Sequence, residues 1–232
     1  MRAMNRIVCK LAVSTWAALA FAGMAIAAGG GSMSGGGTDL PEQRMTPEDR
    51  ARESYNSGVR RLKDAIEYEE DAAKATEPKK IAKANDKARK AYERAAKEFT
   101  RATKDLPTMH EAWNYLGYAN RHLGDYDASL AAYAKALALR PNYPEAIEYR
   151  GEAFLGLNAI EDAKQAYLSL ARSSPALAKE LMNAMDKWLA QKRENPSGVE
   201  QSTVQNFEAW VKEQRSMAGK SASNEAAPAA RW

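Results

Sequence analysis

Seven residues of one stretch return after a fixed interval. Ala112, Gly117, Ala119, Leu123, Ala132, Tyr133 and Pro141 reappear 34 residues later as Ala146, Gly151, Ala153, Leu157, Ala166, Tyr167 and Pro175. The residues between them change freely. A period of this length, with small and aromatic positions kept and the rest varied, marks a packing unit that stacks on its own copies. It excludes a fold built around one irregular core.

Inside the period the pattern is helical. The first unit predicts a helix A from about Met109 to Leu123, a turn at Gly124-Asp125, and a helix B from about Tyr126 to Leu139 ended by Pro141. Asp125 is placed to cap helix B. Gly117 carries no side chain where the second helix crosses the first, and Trp113, Leu116 and Tyr133 fill the space beside that crossing. The second unit predicts helices from about Pro144 to Leu157 and from about Ile160 to Arg172.

The sequence before and after the repeats is helical too, with no credible strand between Thr46 and Ser216. Thr46-Pro47-Glu48-Asp49 opens a helix: a capping hydroxyl, a proline in the first turn, and acids at the positive end of the dipole. Tyr55, Val59, Leu62 and Ile66 then share a face. After Glu77-Pro78 a second helix carries a mostly alanine seam through Ala84, Ala88, Ala91, Ala95 and Ala102, with Phe99 in it. Tyr92, Ala95, Phe99, Ala102 and Pro107 each stand 34 residues before Tyr126, Ser129, Tyr133, Ala136 and Pro141, so this helix reads as the second half of an earlier unit. Its first half is displaced. Gly58 lies 34 residues before Tyr92, whereas Gly117 lies 9 before Tyr126. The excess of 25 residues lengthens both arms of a hairpin by about 18 Å at 1.5 Å per residue. A loop joining two unrelated helices at Thr76 to Lys80 is the alternative. Beyond Pro175, Leu177, Leu181, Met185, Trp188 and Leu189 line one helix, and Val204, Phe207, Trp210 and Val211 line another. Both read as caps over the last apolar face of the stack.

The order Trp113, Leu116, Gly117, Gly124, Tyr126, Ser129, Tyr133, Ala136, Leu137, Pro141 resembles the tetratricopeptide repeat. The second unit follows it with Ile147, Arg150, Gly151, Asn158, Ile160, Ala163, Tyr167, Leu170, Ala171 and Pro175. Asn120 and Arg150 depart from the family's usual tyrosine and leucine. The resemblance implies an all-α, right-handed α-solenoid of antiparallel helix pairs, with a lengthened N-terminal hairpin and C-terminal capping helices. The divisions that follow are a leader over 1–27, a linker over 28–45 and a long hairpin, as a divergent first repeat, over 46–107. Two repeats over 108–141 and 142–175, caps over 176–215 and a disordered tail over 216–232 complete it.

The start of the chain reads as an export signal. Arg2, Arg6 and Lys10 precede the uncharged apolar run Leu11 to Ala27, which closes on Ala25-Ile26-Ala27. The mature chain is expected to begin at Ala28, in a bacterial periplasm. The alternative is an uncleaved anchor that holds the protein to the inner membrane facing the periplasm. Cys9 lies in the leader, so the mature chain holds no thiol or disulfide. Gly29 to Gly37 is a flexible spacer. Losing the leader's three basic residues takes the formal charge from +4 to +1, which is no nucleic-acid or membrane footprint.

Catalytic and cofactor patterns are missing. The two histidines, His110 and His122, have no metal-ligand spacing and read as surface residues. No phosphate-cradling glycine loop or nucleophile elbow occurs. No enzyme, metal or cofactor is expected, and binding remains. The family resemblance implies that helix A lines a concave groove. Its matching positions are Glu111, Asn114, Tyr118 and Arg121 in one unit and Glu145, Glu148, Glu152 and Leu155 in the next. Tyr118 and Arg121 read as anchors, with Asn114 as a hydrogen-bonding partner. Glu148 and Glu152 stand where the family's carboxylate clamp needs a cation, so a cationic or polar protein segment is the expected ligand. The chain thus reads as an adaptor or scaffold of the cell envelope. A homodimer through the long hairpin, with the groove used for self-assembly, is the alternative.

Overall fold

A computed structural model describes residues 45–196 and 198–225, with side chains through 218. The export signal, the spacer over 28–44 and residues 226–232 lie outside the described residues; residues 216–225, expected as the start of a disordered tail, instead continue the last helix. What is described is all helix and short connections: α1 Pro47–Lys74, α2 Pro78–Asp105, α3 His110–His122, α4 Tyr126–Leu139, α5 Pro144–Gly156, α6 Ile160–Ser173, α7 Pro175–Glu194 and α8 Gln201–Glu225. None of them is long and apolar enough to cross a membrane.

The punctuation that starts and stops these helices follows local chemistry. The Thr46 hydroxyl accepts the Asp49 backbone N–H at 3.1 Å, and the Asp125 carboxylate accepts that of Ala128 at 3.1 Å. Helix α3 ends as Gly124 turns to a φ of +81° and the Asp125 N–H reaches back to the Asn120 carbonyl at 3.0 Å. One repeat later Asn158 takes that left-handed place with a φ of 59°, and the Ala159 N–H reaches the Phe154 carbonyl at 2.9 Å. Asparagine tolerates this region where most residues do not. Its side chain is then fixed by the Trp188 indole N–H, donated at 3.2 Å.

Each helix packs on the next, and α3 on α5 and α5 on α7 pack as well, which is how successive antiparallel pairs form a solenoid. The first pair is the lengthened hairpin, with 28 residues in each arm. Gly58 faces Phe99 just as Gly117 faces Tyr133: a Cβ on either would come within 2.7 Å of the ring. The two aromatic knobs therefore lie at equivalent crossings, and the extra turns sit beyond them. Gly151 behaves differently. Its nearest neighbour is Leu181 of α7 at 2.7 Å from a built Cβ, not Tyr167 of its own pair. The missing side chain there admits the next helix of the stack.

The core falls into two continuous parts. Leu62, Tyr92, Phe99, Tyr118 and Tyr133 anchor the N-terminal part. Leu170, Leu181, Met185, Trp188 and Phe207 anchor the C-terminal part, where α7 and α8 cover the face that α5 and α6 would otherwise leave open.

Candidate functional site

Helix A of each repeat carries the predicted contact residues, and the structure divides them. Asn114, Tyr118, Glu148 and Leu155 are buried, each with no more than 5% of its surface exposed. They were expected to line an open groove, and that expectation is corrected here. Tyr118 is enclosed by rings from three helices. Tyr92 of α2 lies 6.3 Å away, His122 of its own helix 4.5 Å and Tyr149 of α5 5.0 Å. Leu155 belongs to the C-terminal core. Arg121 keeps 16% of its side chain exposed and is spent on Glu152, at 2.6 Å. Its guanidinium also lies over the Tyr118 ring at 5.2 Å. Glu111 and Glu145 are half-buried.

Behind Arg121 a polar chain continues across the stack. Its guanidinium nitrogen lies 3.2 Å from His122 Nε2, and His122 Nδ1 lies 3.0 Å from a carboxylate oxygen of Glu69. Glu69 belongs to the extended part of α1, so this contact ties the long arm to the first full repeat. His122 is also stacked on Tyr92 at 4.4 Å. It was expected at the surface. The correction has a plain cause, because the lengthened α1 runs past the end of α3. Nothing in the spacing of Glu69 and His122, 53 residues apart, signalled the pair.

Burial, helped by the adjacent Arg121 charge, holds His122 below the ordinary histidine range against the pull of Glu69. Burial raises Glu69, but the His122 hydrogen bond and charge outweigh it and hold the carboxyl below its ordinary value. For Arg121 burial works against the cation, and Glu152 beside it more than offsets this. The Asn114 side-chain oxygen is buried with no hydrogen-bond partner among the described residues.

The sign of the pH dependence follows. His122 takes up a proton more readily in the unfolded chain, so its contribution is complete above about pH 6.5 and is lost as the pH falls below that. Glu69, with a folded pKa below 4.5, adds a loss at lower pH still. The melting temperature is expected to fall between pH 7 and pH 5. His122→Gln should flatten that limb, as followed by circular dichroism. Equal slopes in the two proteins would mean that His122 does not titrate within the fold.

The remaining acids are positioned by the repeat itself. Glu111 and Glu145 both lie in the first turn of a helix A, one period apart. Glu111 meets His110 Nδ1 at 3.1 Å. Both carboxylates act on Tyr115, whose hydroxyl is pushed up to about 12 by burial first and by Glu145 and Glu111 after it. Tyr115 packs against Tyr55 at 6.0 Å and Phe99 at 5.6 Å, which fixes the ring between the hairpin and the first repeat. Among the described residues, no group of three or more metal-ligating side chains is gathered. Glu111 and Glu145 thus stand at the same place in successive repeats, near the largely buried Tyr115.

Comparison with known families agrees with the packing. A tetratricopeptide repeat model matches residues 80–144 and again 123–178. The first match begins in α2 and runs through the first full repeat. A search of curated proteins found no match. The stacked pairs, the glycine crossings and these two matches make the chain a tetratricopeptide repeat protein over residues 80–178.

Proposed function

We propose that the chain is a non-enzymatic scaffold of the bacterial cell envelope, exported by its N-terminal signal, which holds a cationic or polar protein segment against Glu111 and Glu145. Tetratricopeptide repeats mediate protein–protein interactions and are typically not catalytic, which supports the broad part of this reading. The observation that supports the finer part is the placement of Glu111 and Glu145 in the first turns of successive A helices, one repeat apart and both only half-buried. Tyr118 and Arg121 are enclosed within the stack and are not part of that surface.

The test is a random peptide library panned on the chain without its signal. Peptides carrying Lys or Arg should be enriched. Glu111→Lys with Glu145→Lys should weaken the selected peptides by about tenfold or more and lower the circular dichroism melt only by the small cost of placing two cations in first turns, about 0.3–1 kcal/mol each. Selected peptides that bind the double variant as tightly as the parent would overturn the assignment.

A further inference from the structure

Helix α2 is unevenly charged. Lys83, Lys90, Arg94, Lys97, Arg101 and Lys104 are all exposed. Steps of three and four residues place them in one row on the helix. From Lys83 to Lys104 the row runs about 31 Å at 1.5 Å per residue. Lys87, also in the row, leans over the Tyr68 ring at 5.0 Å. Lys90 meets Asp86 at 2.7 Å and Arg101 meets Glu98 at 3.0 Å. Among the described residues Lys83, Arg94, Lys97 and Lys104 have no ion-pair partner.

At one end of this row a hollow of about 630 Å³ opens between α2, α3 and α4. Ala96, Trp113, Leu116 and Ala132 give it an apolar lining, and Lys97, Arg101 and Lys135 carry its charge. The Trp113 ring is held in place by donating its N–H to the Pro107 carbonyl at 2.8 Å. The stack repeats the hollow one period on, at about 450 Å³, between α4, α5 and α6. There Asp162 and Ser169 replace Ala128 and Lys135, and Arg150 replaces Leu116. Repeat geometry makes both hollows. Only the first joins an apolar lining to cations alone and continues into a cationic row.

We propose that this hollow and the row beside it dock an acidic amphipathic helix of a partner protein, with one bulky apolar side chain entering the hollow and carboxylates running along α2. Carboxylates spaced three and four residues apart on a helix of roughly 20 residues match the length and step of the row. A lipid surface fits less well. It presents no knob to fill a concavity, and membrane-surface helices project large apolar side chains. Among the described residues the exposed large apolar side chains are Met45, Leu139, Leu157 and Met217, none of them on α2. This surface is separate from Glu111 and Glu145, so either assignment can fail without the other.

The probe is a fluorescent synthetic helix of roughly 20 residues with glutamates along one face and a single central Trp, titrated against the chain without its signal. Binding should weaken as salt rises. Lys97→Glu with Lys135→Glu should weaken it by about tenfold or more with no change in the melt, since both side chains are exposed and have no ion-pair partner among the described residues. Replacing the central Trp of the probe by Ala should cost about tenfold, and Ala131→Trp, which fills the hollow from an exposed position, should abolish that difference. Glu111→Lys with Glu145→Lys should not weaken the probe. Three results would overturn the proposal: a probe without Trp binding as tightly as the parent probe, a charge-reversed chain binding unchanged, or phosphatidylglycerol vesicles bound in preference to the probe with the same sensitivity to Lys97 and Lys135.

Discussion

Gly117→Leu is expected to unfold the first full repeat. A Cβ built on Gly117 lies 2.6 Å from Cε1 and 2.7 Å from Cδ1 of Tyr133, and that ring is fully buried. The ring has nowhere to go, since it packs toward Tyr149 of the next repeat at 6.4 Å. Relief must come from moving α3 off α4. That movement also breaks the bond in which the buried Ser129 hydroxyl donates to the Gly117 carbonyl at 2.8 Å. Overpacking of a tight core costs roughly 1–3 kcal/mol and sometimes more. Here a whole leucine must enter and a buried carbonyl loses its donor, so a cost beyond that range is expected. Leucine's better helix propensity returns only about 1 kcal/mol. Gly124 supplies the contrast. It has a φ of +81° and nothing within 4 Å of a built Cβ, so Gly124→Ala meets only backbone strain of about 1–2 kcal/mol. Gly124→Asn should be nearly neutral, because Asn158 already holds the equivalent turn. Urea midpoints should therefore rank wild type and Gly124→Asn together, then Gly124→Ala, with Gly117→Leu far below. A Gly117→Leu midpoint within error of wild type would refute the crossing.

The parts of this structure that were readable beforehand are those set by a residue's own place in the period. Glycine opposite aromatic, at Gly117 and Tyr133, marks a crossing wherever it recurs. The same pair at Gly58 and Phe99, reached across 25 additional residues, identified the long hairpin. Asp125, Gly124 and Asn158 act through backbone groups a few residues away, so their roles were local. The contact face was different. Whether Tyr118 is open or enclosed depends on Tyr92 and Tyr149, supplied by other helices. Whether Arg121 is a free cation depends on the carboxylate that the next repeat brings beside it. Helical periodicity gives the angle at which a side chain leaves its helix. It does not give what stands opposite. The hollow beside α2 is not legible in the sequence for the same reason, since its lining comes from three helices of two repeats.

Tyr118→Ala together with Arg121→Ala tests this distinction between a surface and its support. As exposed anchors they would leave the fold intact when removed. As placed here they should not. Removing a buried aromatic ring typically costs about 3–5 kcal/mol, and Tyr118 is 3% exposed. Removing Arg121 leaves Glu152, itself only 22% exposed, without its partner at 2.6 Å. A stranded polar group of that kind costs about 1–3 kcal/mol. The two losses should fall short of additive, since the guanidinium rests on the very ring that the other substitution deletes. The double variant is therefore expected to melt well below the parent and to lose peptide capture with its fold. Tyr118→Phe should keep nearly full stability, because burial of the ring matters more than its hydroxyl. Glu111→Lys with Glu145→Lys, by contrast, should lose capture at only a small cost in stability. A double alanine variant that melts like the parent while failing to bind would return Tyr118 and Arg121 to the contact surface and overturn the burial on which this assignment rests.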